Sequence, residues 1–199
     1  SNYSMSFVSA NFEIVAKLTP TVTASGGPFT YDGASHAAIV AGSVDGAVSN
    51  IKYNSSATVP TNAGTYTVTA NFVPTDTTNY NSLTNAAAGS IIINKATLTV
   101  TASNQTIAVG DPDPTFTFGY GPFVNGENST ALTTAPTCTV SGAHTAAGTY
   151  PIVCSGGVAS NYIFSYVNGI LTVTAVDSPI EAFVGGSLQG SYTIAPGSS

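Results

Sequence analysis

The chain repeats itself at a period of roughly 80 residues, and this constrains the fold more than any other feature. Three stretches line up: Ser1-Asn-Tyr3 through Lys17, Thr78-Asn-Tyr80 through Lys95, and Ser160-Asn-Tyr162 through Val176. A second marker, Ala63-Gly-Thr-Tyr66, returns as Ala147-Gly-Thr-Tyr150. Each repeat must bury a core of its own, and the length suits one small β-domain.

Within the repeats the apolar period is two. Tyr66, Val68, Ala70 and Phe72 alternate with Thr65, Thr67, Thr69 and Asn71, and Leu98, Val100 and Ala102 alternate with Thr99 and Thr101. Such alternation predicts half-buried antiparallel strands with a Thr-rich solvent face. Tyr162 to Val167, Asn168-Gly169 and Ile170 to Ala175 read as a hairpin with a type I′ turn. Residues 125–132 read as one short helical turn. The expected fold is all-β: tandem small antiparallel domains, Ig-like sandwich or β-grasp-like, with little or no helix.

Four segments follow. Residues 1–16 match the closing hairpin of a repeat, with Ser9-Ala10 at the place of Asn168-Gly169. Residues 17–94 are a first complete repeat and 95–176 a second. Residues 177–199 begin another domain or supply an exchange strand. An isolated hairpin is marginal in water, so the end segments are expected to pair with a neighbouring repeat or an identical subunit. The apolar candidates for that assembly are Tyr3, Phe7, Phe12, Ile14, Phe183, Leu188, Tyr192 and Ile194.

Charge removes several functions. Lys17, Lys52 and Lys95 are the only cations against nine acids, giving a net charge of −6. A nucleic-acid binder needs clustered cations to release counterions from phosphate, and an anionic membrane surface needs the same. The apolar runs are short and broken by Thr or Ser, so none spans a bilayer as a helix. Cys138 and Cys154 fall on the inward faces of neighbouring strands, beside Val140, Tyr150 and Ile152, and predict a cross-strand disulfide, the alternative being two free buried thiols. An oxidised pair fits an extracytoplasmic compartment.

Lys95-Ala-Thr-Leu-Thr-Val-Thr-Ala102, Val109-Gly-Asp111-Pro-Asp-Pro-Thr-Phe116, Gly148-Thr-Tyr150, Asn161-Tyr162 and Val167-Asn-Gly169 together resemble the bacterial MBG domains of the YGX type. Val109 stands where that family usually carries Tyr, a departure at one packing position. The first repeat, with Phe29-Thr-Tyr31-Asp-Gly33 and Pro60-Thr-Asn-Ala-Gly-Thr-Tyr66, is similar to the related Ig-like variant. The resemblance spans residues 17–176 and implies large secreted or surface-anchored proteins built of such domains in series. No catalytic residues travel with it. The Gly-Thr-Tyr marker is also similar to an immunoglobulin tyrosine corner, though Cys154 lies four residues after Tyr150 and not two.

Candidate chemistry is sparse. His36 and His144 stand in polar turns without the neighbours zinc needs, and no Gly-x-Ser-x-Gly elbow supports a serine nucleophile. Asp111 and Asp113 are a weak calcium pair that Glu13, Asp177 or a carbonyl would complete, against ordinary Asp-Pro turn chemistry. No second carboxylate suggests a glycosidase pair. Lys17 and Lys95 begin equivalent strands, either as solvated charges that discourage edge pairing or as partners in a Lys–Asn isopeptide bond. Asn2, Asn54, Asn104 and Asn128 stand in Asn-x-Ser/Thr sequons, relevant where the host glycosylates them. Most aromatics alternate with Thr and read as core; Tyr120 and Phe123 are the candidates for a loop-borne sugar platform. No cofactor is expected.

The reading is a non-catalytic structural repeat at a cell surface: a stalk, a spacer, or a filament subunit assembled through its terminal strands. The alternative is an adhesin module that binds a glycan or a host protein. The partners expected are neighbouring repeats or identical subunits.

Overall fold

Thr, Val, Ile and Tyr at every second position leave the chain little option but strands. The computed structural model describes residues 16–176 and, as backbone alone, residues 180–184 and 187–192. It is an all-β protein whose described residues include no helix longer than a 3-10 turn. The chain divides into two units, one of residues 16–29 and Ala34–Ile93, the other of Thr30–Gly33 and residues 94 onward.

The first unit holds β1 (Val22–Ser25), β2 (Phe29–Thr30), β3 (Ile39–Gly42), β4 (Gly46–Tyr53), β5 (Gly64–Pro74) and β6 (Leu83–Asn94). One sheet runs β2-β6-β5-β4 and a second pairs β1 with β3. The core between them joins Val22, Tyr53, Val68, Phe72 and Ile91, all under 6% exposed. Gly42 lies directly over Phe72; a Cβ there would sit 2.3 Å from the ring, so the approach of β3 to β5 requires glycine.

The second unit holds β7 (Ala96–Ala102), β8 (Gln105–Ala108), β9 (Phe118–Tyr120), β10 (Leu132–Thr134), β11 (Thr137–Val140), β12 (Gly148–Ser155), β13 (Val158–Ala159), β14 (Tyr162–Val167) and β15 (Gly169–Thr174). A four-stranded sheet runs β11-β12-β15-β8 and a three-stranded one β14-β7-β9, with a small β10-β13 pair beside them. Val100 and Ala102 from one sheet pack on Ile152, Cys154, Leu171 and Val173 from the other. That is sandwich packing, which decides between the sandwich and β-grasp alternatives. Further along, β16 (Ile180–Val184) and β17 (Ser187–Tyr192) form an antiparallel pair.

Two expectations are corrected. The strands are not all antiparallel: β14 runs parallel to β7, with Tyr162 opposite Ala96, and β15 runs parallel to β8. Nor is Tyr162 to Ala175 a hairpin, because β14 and β15 lie in different sheets. Asn168-Gly169 is the point where the chain changes layer. Neither residue has the positive φ a type I′ turn demands. Gly169 is glycine because a Cβ would sit 2.8 Å from the Ser103 carbonyl oxygen and 2.9 Å from that of Ala102. The short helical turn is present as two 3-10 turns, Val124–Gly126 and Ser129–Ala131.

Candidate functional site

Superposing the two repeats by sequence shows which interactions recur. The Lys17 ammonium donates to the Thr77 carbonyl at 2.6 Å, and the Lys95 ammonium donates to the Ala159 carbonyl at 2.8 Å. Beside each lysine a backbone N–H continues the same clasp: Leu18 donates to the Asn79 carbonyl and Ala96 to that of Asn161, at 2.8 and 2.9 Å. The lysine that begins each repeat therefore holds the loop before the Asn-Tyr pair; beside it Leu18 makes a single parallel bridge to Tyr80, and Ala96 opens the parallel pairing of β7 with β14. This replaces the reading of Lys17 and Lys95 as merely solvated edge charges.

The first clasp also gathers a carboxylate. Asp76 Oδ1 accepts from the backbone N–H groups of Thr78 and Asn79 at 3.0 and 3.1 Å, and Oδ2 accepts from Asn79 Nδ2 at 2.7 Å. Those bonds, from Asn79 first, together with the nearby Lys17, hold the Asp76 carboxyl below the usual carboxylate range. Lys17, Asp76 and Asn79 are all exposed. Amide-bond formation between lysine and asparagine needs a desolvated, uncharged amine, so this solvated trio acts as a clasp.

The Gly-Thr-Tyr markers are a second recurring device. Tyr66 Oη donates to the Asn62 carbonyl at 2.8 Å, and Tyr150 Oη donates to the Ala146 carbonyl at 2.9 Å, in both cases four residues upstream. That is the geometry of a tyrosine corner. In both repeats it pins the loop entering the long central strand.

The second unit adds three devices of its own. Cys138 and Cys154 are directly opposed on β11 and β12 and form a disulfide. Asn128 caps the second 3-10 turn, its Oδ1 accepting from the Thr130 N–H at 2.9 Å. Between the two turns, Glu127 accepts from Tyr31 Oη at 2.5 Å through Oε1 and from Tyr162 Oη through Oε2. The Tyr162 oxygen in turn accepts from the Val124 N–H at 3.1 Å. The Glu127 bond, then burial, raises the Tyr31 hydroxyl pKa, and burial followed by Glu127 pushes Tyr162 up to about 12. Both phenols therefore stay protonated donors to a carboxylate. Sequence reasoning missed Glu127, whose partners lie 96 and 35 residues away. No local signal marks it.

The remaining candidates have local partners. His144 Nε2 lies 2.6 Å from Asp113 Oδ1 and its Nδ1 lies 3.2 Å from the Gly142 carbonyl. Asp111 Oδ2 accepts from the Ala108 N–H at 2.9 Å, which closes its turn. Among the described residues no three His, Cys, Asp or Glu side chains gather as a metal site. His36 stacks on Phe29 at 4.4 Å. Tyr120 and Phe123 are half-buried and touch at 5.3 Å, and Phe123 continues edge-on to Tyr162. They belong to an aromatic cluster and form no open platform. A shallow groove of about 600 Å³ lies along β13 and β14, walled by the stacked rings of Phe164 and Tyr166 with Lys95 among its lining residues. Tyr3, Phe7, Phe12, Ile14, Glu13, Asp177 and Ile194 lie outside the described residues, as do the side chains of Phe183, Leu188 and Tyr192. No described helix is long and apolar enough to cross a membrane.

Comparison with known proteins gives a consistent assignment. Residues 20–97 match the family model of the MBG domain, and residues 98–172 match that of the MBG domain of the YGX type. No curated protein matches the chain. The two matches adjoin and span residues 20–172, so the chain belongs to the MBG-domain family and carries two such domains in series.

Proposed function

We propose that this chain is a non-catalytic structural repeat of a secreted bacterial surface protein, serving as a stalk or spacer. One observation carries the reading: what recurs between the repeats is scaffolding. The lysine clasp and the tyrosine corner appear in both, and each fastens a strand to a loop. Among the described residues, no cluster of three His, Cys, Asp or Glu side chains accompanies these devices. The disulfide supports an extracellular or cell-surface location, because thiols stay reduced in most cytosols.

The partners on this reading are neighbouring repeats or identical copies joined through their terminal strands. Negative-stain electron microscopy of native material, with light scattering of the purified chain, tests it. Elongated particles that stay monomeric support a spacer, and regular filaments support assembly through the ends. The rival reading, an adhesin module for a glycan or host protein, draws on the groove beside Phe164, Tyr166 and Lys95. Saturable binding on a glycan array, lost in Phe164→Ala, would replace the structural reading.

A further inference from the structure

We propose that Asn104 and Asn128 are attachment points for N-linked glycans and that Asn54 is not; the proposal rests on the export inferred above. Three asparagines among the fully described residues stand in sequons: Asn54-Ser-Ser56, Asn104-Gln-Thr106 and Asn128-Ser-Thr130. All three are exposed, so exposure does not separate them. Their hydrogen bonds do.

Asn54 is tethered at both ends of its amide, through the oxygen and through one of the two Nδ2 hydrogens. Its Oδ1 accepts from Thr67 N and Thr67 Oγ1, each at 2.9 Å, and its Nδ2 donates to the Thr65 carbonyl at 3.4 Å. Its φ of 46° places it in the left-handed region, held against β5. Asn104 and Asn128 use only the oxygen. Asn104 Oδ1 accepts from the Ile170 N–H at 2.8 Å, and Asn128 Oδ1 accepts from the Thr130 N–H at 2.9 Å. In both, Nδ2 has no partner among the described residues. Glycosylation changes Nδ2 and leaves the amide oxygen an acceptor, so both backbone caps survive the modification.

The surface gives the modification a physical role. Only 6% of residues are charged and the mean hydropathy is +0.25. Large aliphatics such as Ile163 and Val158 are more than half exposed. Asn104 is fastened to the N–H of Ile170, itself 48% exposed, so a sugar on Nδ2 begins beside uncovered apolar surface. A hydroxyl-rich coat supplies the hydration that charges do not.

In the reaction, Nδ2 attacks the anomeric carbon of a sugar carried on a diphosphate. The N–C bond forms and the C–O bond to the diphosphate breaks. The diphosphate leaves with the electron pair, and the amide proton passes to a base of the glycosyltransferase. The donor is either a lipid-linked oligosaccharide or a nucleotide-linked monosaccharide.

Peptide mass spectrometry of the protein isolated from its source organism tests this. The peptides holding Asn104 and Asn128 are expected to carry a saccharide increment, and the Asn54 peptide is expected at its bare mass. A single-sugar increment identifies the nucleotide donor, and a larger one the lipid-linked donor. Thr106→Ala and Thr130→Ala, made in the same organism, keep the asparagine caps and should each lose the increment at their own site alone. Either asparagine bare, sugar on threonine hydroxyls instead, or a glycan on Asn54 overturns the assignment. Labelling intact cells from outside separates the two possible failures. Protein that is labelled but bare sinks the glycans alone, whereas protein shielded inside the cell sinks the export reading and this one with it.

Discussion

Tyr162 ties Glu127 and the Val124 backbone to the core of the second unit. Its ring is 2% exposed, its hydroxyl donates to Glu127, and its oxygen accepts from the Val124 N–H. Burial and the carboxylate raise its pKa from 10.0 to about 12, so the folded state holds this proton more tightly than the unfolded chain. The associated stability is whole below pH 10 and lost as pH rises towards 12. Ultraviolet titration should show one phenol ionising near 12, and urea melts should weaken across that window. Tyr162→Phe removes both bonds and should cost about 1–3 kcal/mol in the same melts. His144 carries a test of the same sign at lower pH. The Gly142 carbonyl, then Asp113, raise its pKa above 6.5, so its small contribution is present in acid and fades as pH climbs past the folded value. NMR titration should place His144 above 6.5, and Asp113→Asn should bring it down. Tyr162 was visible in the sequence as half of a repeated Asn-Tyr marker. Its partner Glu127 was not, because a carboxylate inside a turn looks solvated until distant phenols are folded onto it.

At the scale of elements, strand positions were legible and strand partners were not. Alternation located Tyr162 to Val167 and the strand after it, since period two follows from the strand's own geometry. Asn168-Gly169 then suggested a tight turn, because the dipeptide's local preference is strong. Tertiary packing overrode it: β14 completes the sheet of β7, and β15 crosses to the sheet of β12 and β8. The two accounts differ in which substitution hurts. Gly169→Ala should destabilise by roughly 1–3 kcal/mol, because its Cβ would press on the Ala102 and Ser103 carbonyls. Asn168→Ala should be near neutral, since Asn168 has no positive φ to maintain. A turn of type I′ would reverse that order, and chemical denaturation of the two variants decides it. The inward cysteines were read correctly for the same geometric reason as the strands: residues two apart share a face.

At the scale of the whole molecule, the disulfide singles out one unit for test. The disulfide bridges β11 and β12 of the second unit, across 16 residues of chain, and should stabilise that unit by roughly 3 kcal/mol in the chain-entropy model. Calorimetry with and without reductant should move the transition of the second unit to lower temperature. By itself the sequence determined the all-β class, the near-80-residue repeat, the disulfide and the absence of basic surface. Each of these is written in local spacing or in composition. Only the tertiary structure decided that the layers form a sandwich, that two pairings are parallel, and that the repeated lysines fasten loops 60 and 64 residues away. Local pattern specifies which face of a strand is buried. Which strand lies beside it depends on how the faces pack together, and that is settled only when the whole core closes.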